Sequence, residues 1–263
     1  MKYKTGLCSI SFRGLNAQEL VRLVKQAGLD AIEWGSDVHV PFGEGAVARE
    51  VRKVTEDAGL EVSSYGSYWK VVDEKGAAVP FEPVLESAKA LGTDTIRVWA
   101  GHQPSDGLSS QERATLVAHL RQATEMAAAE DVRLGLEFHA NTLSDSNGAT
   151  QALLREVEHP NLYTYWQPIY WLTDPEYRLR GLRELADRVL NLHVFQWMFR
   201  PGAGSWGEST DRRPLEEGAK EWEQYLKVPL GGDFQRYALM EFVRNDDPDQ
   251  FLKDASVLKD WVR

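Results

Sequence analysis

Three joints in the chain share one pattern: the end of an amphipathic helix, a glycine, and then a short apolar run. The joints centre on Gly28, Gly59 and Gly92. A glycine just past the last helical turn supplies the left-handed residue that ends many helices. Because the glycines lie 31 and 33 residues apart and each precedes a strand-like run, the pattern predicts successive βα units with short loops rather than a solenoid.

The same alternation continues through the whole chain. Two helix starts carry a capping box, at Asn16–Glu19 and Ser109–Glu112, in which side chains and backbone N–H groups bond reciprocally. Apolar runs rich in β-branched and aromatic residues predict eight strands, at about 5–10, 30–34, 60–65, 94–99, 132–138, 161–166, 189–195 and 237–242. Amphipathic stretches predict eight helices, at about 16–27, 44–58, 81–91, 109–129, 149–158, 175–187, 214–226 and 248–262.

Eight strand-then-helix units in 263 residues match the roughly 250 residues of a (β/α)8 barrel. No linker and no shift in composition divides the chain. We therefore expect an α/β fold in which residues 1–263 form a single (β/α)8 TIM barrel domain. An open doubly wound sheet is the alternative.

Composition excludes several classes of protein. An apolar content of 43% with nine Trp argues against disorder. A net charge of −10 repels polyanions, so we expect no nucleic-acid partner. The longest uncharged stretch, residues 161–173, is shorter than the roughly 18 apolar residues of a membrane span. With no apolar signal segment and a single Cys8, the sequence favours a cytoplasmic location and no membrane partner.

In a barrel of this kind the chemistry lies at the carboxyl ends of the strands. Glu137 and His139 are two residues apart on predicted strand five, so their side chains share a face. Glu241 stands in an apolar run, where an ionised carboxylate is costly unless a cation meets it. With His193 these carboxylates predict a mixed oxygen and nitrogen site for a divalent metal. The alternative is that each carboxylate pairs with an inward arginine such as Arg97.

From Leu7–Ser11 and Ala27–Glu33 to Ala238–Glu241, the chain resembles the xylose isomerase-like barrel superfamily, and within it the sugar phosphate isomerase/epimerase group. Members of that group place metal ligands Glu, Asp, His and Glu on strands five to eight. The resemblance therefore implies four metal ligands here: Glu137, Gln167, His193 and Glu241.

Strands six and seven depart from the group's pattern. Gln167 stands where an Asp ligand is usual, and Tyr170 and Gln196 replace a usual His and a usual Asp. An amide oxygen can coordinate a hard cation, but it removes one negative charge. We therefore expect a weakly held divalent metal, Mn²⁺ or Mg²⁺, with Co²⁺ or Zn²⁺ as alternatives.

The resemblance implies an isomerase or epimerase of a small ketose or polyol-type carbohydrate, acting by α-proton abstraction through an enediolate. Glu137 and Glu241 would then be the catalytic acid/base pair. Two alternatives remain open. One is a metal-dependent lyase or dehydratase on a keto-sugar or inosose, and the other is a barrel that binds carbohydrate without catalysis.

Several other side chains at the predicted strand ends are candidates for substrate binding: His39, Trp69, Arg97, His139, Trp197 and Arg200. The alternatives are a solvated loop for His39, core packing for the tryptophans and neutralisation of Glu137 by Arg97.

We expect the carbohydrate substrate to be unphosphorylated. Residues 244–249 after strand eight carry three carboxylates and one arginine, which would repel a phosphate. The glycine-rich residues 200–207 are the one loop that could cradle a phosphate through backbone N–H groups, and a mobile lid explains these glycines equally well. Further copies of the chain are also among the expected partners, in a homodimer or homotetramer.

Overall fold

The computed structural model describes residues 3–169, 172, 174–200 and 210–263. Eight parallel strands close into a barrel, and its ring runs β1, β2, β3, β4, β5, β6, β7, β10 and back to β1. These strands are β1 Lys4–Cys8, β2 Ala31–Gly35, β3 Glu61–Gly66, β4 Thr95–Val98, β5 Arg133–Leu136, β6 Leu162–Trp166, β7 Val189–Val194 and β10 Tyr237–Met240. The predicted (β/α)8 barrel is confirmed, because pairing of Lys4 with Tyr237 closes the ring and excludes the open sheet.

Helices follow the strands around the outside of the barrel. They are α1 Ala17–Ala27, α2 Gly45–Asp57, α3 Glu82–Leu91, α4 Ser110–Ala128, α5 Asn147–Val157, α6 Pro175–Glu184, α7 Ala219–Lys227 and α8 Pro248–Val262. The capping boxes opened by Asn16 and Ser109 are both present. Gly28 and Gly92 end α1 and α3 in the left-handed conformation. None of the helices in the described part of the chain has the length and apolar composition needed to cross a membrane.

A short hairpin at the mouth of the barrel was not predicted. The connection from β7 to α7 contains an antiparallel hairpin of β8 Trp197–Phe199 and β9 Thr210–Arg212. The glycine-rich loop of residues 200–207 falls between these strands, and from 201 onward it lies outside the described residues, as does Tyr170.

The apolar core has two parts. The larger part lies between the strands and the helices. A smaller cluster fills the barrel interior and consists of Cys8, Ile10, Tyr165, Leu190 and Leu239. Glu241 follows Leu239 by two residues, so its side chain is directed to the same face, one layer nearer the carboxyl ends of the strands. The barrel therefore places polar side chains over an apolar interior.

Candidate active site

Arg97 on β4 lies at the centre of the polar cluster at the barrel mouth, and its side chain is 1% exposed. Its Nε donates to Glu33 Oε1 at 2.8 Å, and its Nη1 donates to Glu137 Oε2. Gly66 leaves room for the guanidinium, because a Cβ at that position would lie 2.5 Å from Arg97 Nη2. One buried cation is thus bonded to two carboxylates, the strong charge-assisted type of hydrogen bond.

Glu33 on β2 is held in its ionised form. Burial raises the pKa of this carboxyl, but the charge of Arg97 and the hydrogen bonds that the carboxylate accepts outweigh burial, so its pKa lies well below the usual range. One of those hydrogen bonds comes from Ser64 Oγ, which lies 2.7 Å from Glu33 Oε2. Glu33 and Arg97 therefore form a buried ion pair.

Glu137 and His139 lie just after β5, next to Trp99. Trp99 Nε1 donates to Glu137 Oε2, and the Trp99 ring stacks on the His139 ring with 4.5 Å between centroids. His139 Nδ1 donates to the Ala140 carbonyl at 2.7 Å, which leaves Nε2 as the acceptor nitrogen. Burial lowers the pKa of His139. His139 is therefore a neutral base, whereas Glu137 already accepts from two donors.

His193 on β7 faces three oxygen atoms. Its Nδ1 lies 3.1 Å from Gln167 Oε1 and 3.5 Å from Glu241 Oε2. Its Nε2 lies 3.4 Å from Glu33 Oε1 but makes no hydrogen bond to any residue that the structure describes. Within the described residues, ligand atoms of His193, Glu241 and Cys8 lie within 4.8 Å of one another, and Glu137 is not in that group. A cation at this place would find one nitrogen, from His193, and two oxygens, from Gln167 and Glu241.

The charges of the cluster also favour a cation. Glu33, Glu137 and Glu241 are each at most 4% exposed, and Arg97 is the buried cation that faces them. Buried carboxylates in excess of their cations are unfavourable. A divalent ion held by carboxylate, amide and imidazole would offset that excess, and such ligands suit Mg²⁺ and Mn²⁺. The residues present fit a metal of this class.

The structure brings six of the predicted site residues to the mouth: Arg97, Glu137, His139, Gln167, His193 and Glu241. It holds Glu137 at Arg97 rather than beside His193 and Glu241. Arg97 thus neutralises Glu137, as one interpretation of the sequence had it. Because this ion pair lies within the candidate site, the other interpretation, binding of substrate by Arg97, is also compatible with its position.

Three other predicted residues are placed elsewhere. Trp69 is 3% exposed, and its indole N–H donates to the Val79 carbonyl, because a buried indole N–H needs an acceptor. His39 is buried, and its Nε2 lies 2.9 Å from the Leu15 carbonyl. Arg200 is exposed and pairs with Asp211 across the hairpin. The structure does not join these residues to the polar cluster.

Trp197 flanks the mouth on the hairpin. Its ring lies 5.3 Å from the rings of both Phe195 and Phe242, measured between centroids. The guanidinium of Arg212 lies over the Phe242 ring at 4.7 Å. Trp197 is therefore part of an aromatic rim.

Sequence reasoning did not assign Glu33, Ser64, Tyr68 and Trp99 to the site. Glu33 carries the same signal as Glu241, a carboxylate within an apolar strand, and could have been selected by it. Tyr68 and Trp99 have no such signal, because aromatic residues at strand ends usually contribute to packing.

A concave surface of about 550 Å³ lies at the opposite end of the barrel. Among the charged residues that line it, Arg133 pairs with Asp94 and Glu61 pairs with Lys4. Its residues belong to the amino ends of the strands, which in this fold serve stability. The polar cluster at the carboxyl ends is therefore the better candidate for catalysis.

Comparisons with known proteins agree with the fold. The profile of a family described as Xylose isomerase-like TIM barrel matches residues 21–261. A 3-dehydroshikimate dehydratase of Bacillus anthracis is 31% identical over 278 positions, covering 98% of this chain and 96% of that protein.

Among solved structures, the probable 3-DHS dehydratase AsbF of Bacillus anthracis superposes with a TM-score of 0.76 at 25% identity, over 98% of this chain and 99% of that one. A xylose isomerase-like TIM barrel protein from Mycobacterium smegmatis in complex with magnesium gives 0.71 at 14% identity, over 99% and 96%. The 3-keto-D-glucoside 4-epimerase YcjR from E. coli gives 0.71 at 17% identity, over 98% of each chain. The last two similarities show the fold alone.

Proposed function

Because the chain belongs to the family of xylose isomerase-like TIM barrels, we propose that it is a divalent-metal-dependent lyase that removes water from a cyclic polyhydroxy ketone of the 3-dehydroshikimate type. The 31% identical relative is a dehydratase of that compound. Such a substrate is a small unphosphorylated carbohydrate derivative with a carboxylate. The isomerase or epimerase predicted from the sequence is the second candidate, and the positions of Glu137 and Glu241 at the same mouth favour it.

The observation that carries the proposal is the difference between the two bases at the end of β5. Glu137 is occupied by Arg97 and Trp99, whereas within the described part of the chain His139 bonds through Nδ1 and keeps Nε2 as an acceptor nitrogen. Epimerisation needs a base on each face of the reacting carbon. Elimination of water needs one base that can later act as an acid, and His139 meets that requirement.

Gln167, His193 and Glu241 are the residues that would hold the metal, whereas Glu137 is bonded to Arg97. A bound divalent ion supplies polarisation of the substrate's ketone, which makes the adjacent C–H bond more acidic.

His139 has a defined tautomer and orientation. The hydrogen bond from Nδ1 to Ala140 directs the lone pair to Nε2, and stacking on Trp99 fixes the plane of the ring. Because burial lowers the pKa of His139, the ring is neutral and able to accept a proton at neutral pH. The chain therefore presents a positioned general base.

In the proposed reaction His139 Nε2 takes the proton from the carbon next to the ketone. The electrons of that C–H bond form a C=C bond as the C–O bond to the neighbouring hydroxyl breaks. The proton on His139 leaves with the hydroxide as water, which restores the base. Loss of water from 3-dehydroshikimate leaves a ring that becomes a dihydroxybenzoate by enolisation.

The test is turnover of 3-dehydroshikimate by Mn²⁺-loaded protein, followed by the ultraviolet absorbance of the aromatic product. We expect His139→Gln to lower kcat by about 10²- to 10⁴-fold, the usual contribution of a general base, with unchanged metal content. His119→Gln is the control, because His119 lies on the outer helix α4. A wild-type protein that epimerises free ketoses but forms no aromatic product would contradict the dehydratase and support the second candidate.

A further inference from the structure

Tyr68, just after β3, has a hydroxyl whose oxygen is buried, and no acceptor in the described part of the chain takes its proton. Its ring lies 4.7 Å from Arg97 Cζ, measured to the ring centroid, and contacts the Trp99 ring edge-on at 5.9 Å. Its hydroxyl is also within electrostatic range of Glu241. Tyr68 thus lies among the groups of the candidate active site without bonding its proton to any of them.

The backbone of Tyr68 is strained. Its φ is +52°, in the left-handed region that a bulky side chain rarely adopts. The neighbouring backbone holds this conformation, because Trp99 N donates to the Trp69 carbonyl at 2.8 Å and Ser67 N donates to the Arg97 carbonyl at 3.0 Å. Strain that the surroundings impose in this way is concentrated at functional sites.

Tyr68 therefore combines two features that each lower the stability of the folded protein. A buried hydroxyl that gives its proton to no acceptor is unfavourable, and the left-handed backbone adds to that cost. Folding alone gives no reason for the hydroxyl, because a phenylalanine at this position would keep the contacts of the ring with Arg97 and Trp99. Burial also raises the pKa of Tyr68 more than Arg97 lowers it, so the group remains an O–H donor over the working pH range.

We propose that the Tyr68 hydroxyl is a substrate-binding group, which donates its hydrogen bond to an oxygen atom of the substrate at the barrel mouth. The inference rests on the proposed function, since it requires an oxygen-rich substrate beside Arg97 and Glu241. Tyr68 is half-buried, whereas Glu137, His193 and Glu241 at the same mouth are at most 4% exposed, so a substrate that reaches those groups also comes within reach of Tyr68.

Tyr65 provides a matched control. It is fully buried on β3, and its hydroxyl donates to the Val40 carbonyl at 2.7 Å. Removing that hydroxyl leaves a buried carbonyl without its partner, so Tyr65→Phe is expected to lower the unfolding temperature and to leave substrate binding unchanged. Tyr68→Phe is expected to do the reverse. It should keep or raise the unfolding temperature of the metal-free protein.

The experiment measures the unfolding temperature of the metal-free proteins and, by calorimetry on the Mn²⁺-loaded proteins, the binding of 3-dehydroshikimate and of a free ketohexose. We expect Tyr68→Phe to weaken binding of the accepted compound by about tenfold, the size of one hydrogen bond, with unchanged metal content. A destabilised Tyr68→Phe would overturn the inference, and so would equal binding by wild type and variant, including no binding by either. If Tyr68→Phe weakened binding of the ketohexose and the wild type did not turn over 3-dehydroshikimate, the role of Tyr68 in substrate binding would be supported and the proposed substrate would be rejected.

Discussion

Arg97 is the residue on which the electrostatics of the mouth depend, because it binds Glu33 and Glu137 where all three side chains are at most 4% exposed. The sequence shows Arg97 on a strand and both carboxylates on others. The pairing of Arg97 with Glu137 was among the alternatives from the sequence, but its pairing with Glu33 was not, because these residues lie far apart in the chain and meet only when the barrel closes. Glu241 and His193 were accessible to prediction, since an apolar run and a family resemblance mark them.

Replacing Arg97 by Met should strongly destabilise the protein, because it leaves two buried carboxylates without their cation. Removal of one partner of a buried ion pair costs about 3–5 kcal/mol of unfolding free energy. Urea unfolding measures this value. Lys53→Met is the control, since Lys53 and its partner Asp57 are 73% and 64% exposed, and such pairs contribute about 1 kcal/mol or less. Similar losses of unfolding free energy in both variants would show that Arg97 is not needed to compensate the buried carboxylates.

Among the elements, the barrel strands and helices follow local signals, and the bounds of α1 and α4 agree closely with their capping residues Asn16 and Ser109. The hairpin of β8 and β9 has strands of three residues each, too short for a periodic pattern, and its pairing depends on the chain folding back. Trp69 and His39 were assigned to the site because their loops follow barrel strands. In the structure they bond to the carbonyls of Val79 and Leu15 and lie apart from the polar cluster. Hydrogen-bond partners of this kind depend on the tertiary structure and cannot be read from the sequence.

Asp254 on α8 connects that helix to the turn before α7 and gives the fold a dependence on pH. It is 4% exposed, and its Oδ1 accepts from Leu215 N and Gln250 Nε2. Burial raises the pKa of Asp254 above its usual value. A carboxyl whose pKa is raised by folding contributes most to stability when protonated, and that contribution falls as the pH rises through the pKa of the folded state.

Asp254→Asn keeps an acceptor oxygen but cannot ionise, so its unfolding temperature relative to that of the wild type should increase as the pH rises over a range that begins at about pH 4, the ordinary pKa of an aspartate. Scanning calorimetry across that range measures the difference. Asp260→Asn, on the same helix with a side chain 62% exposed, is expected to show a nearly constant difference. A constant difference for Asp254→Asn as well would mean that burial does not disfavour its charged form.

For the whole molecule, the excess of buried negative charge at the mouth links cation binding to stability. A ligand that binds only the folded state raises the free energy of unfolding, by about 2.7 kcal/mol at one hundred times its Kd. The metal proposed here would therefore act on the barrel as a unit, since its ligands come from β6, β7 and β10 or the residues that follow them.

Mn²⁺ should raise the unfolding temperature of the wild type, and EDTA should reverse the effect. Gln167→Asp should enlarge the Mn²⁺-induced increase, because it adds a negative charge beside His193, and Glu241→Gln should reduce it. Gln224→Asp on the surface of α7 is the control and should behave like the wild type. Equal shifts in all four proteins would place the ion elsewhere.

Ring closure also sets the order in which the protein can be made. β1 pairs with β10 from Lys4–Tyr237 to Leu7–Met240, yet β10 is the last barrel strand to be synthesised. Until it emerges from the ribosome, the growing sheet has two open edges, at β1 and at β7. Open edges are templates for association with other chains, and pairing over so long a separation is slow. The edges at β1 and β7 are therefore exposed to other chains until β10 pairs with both.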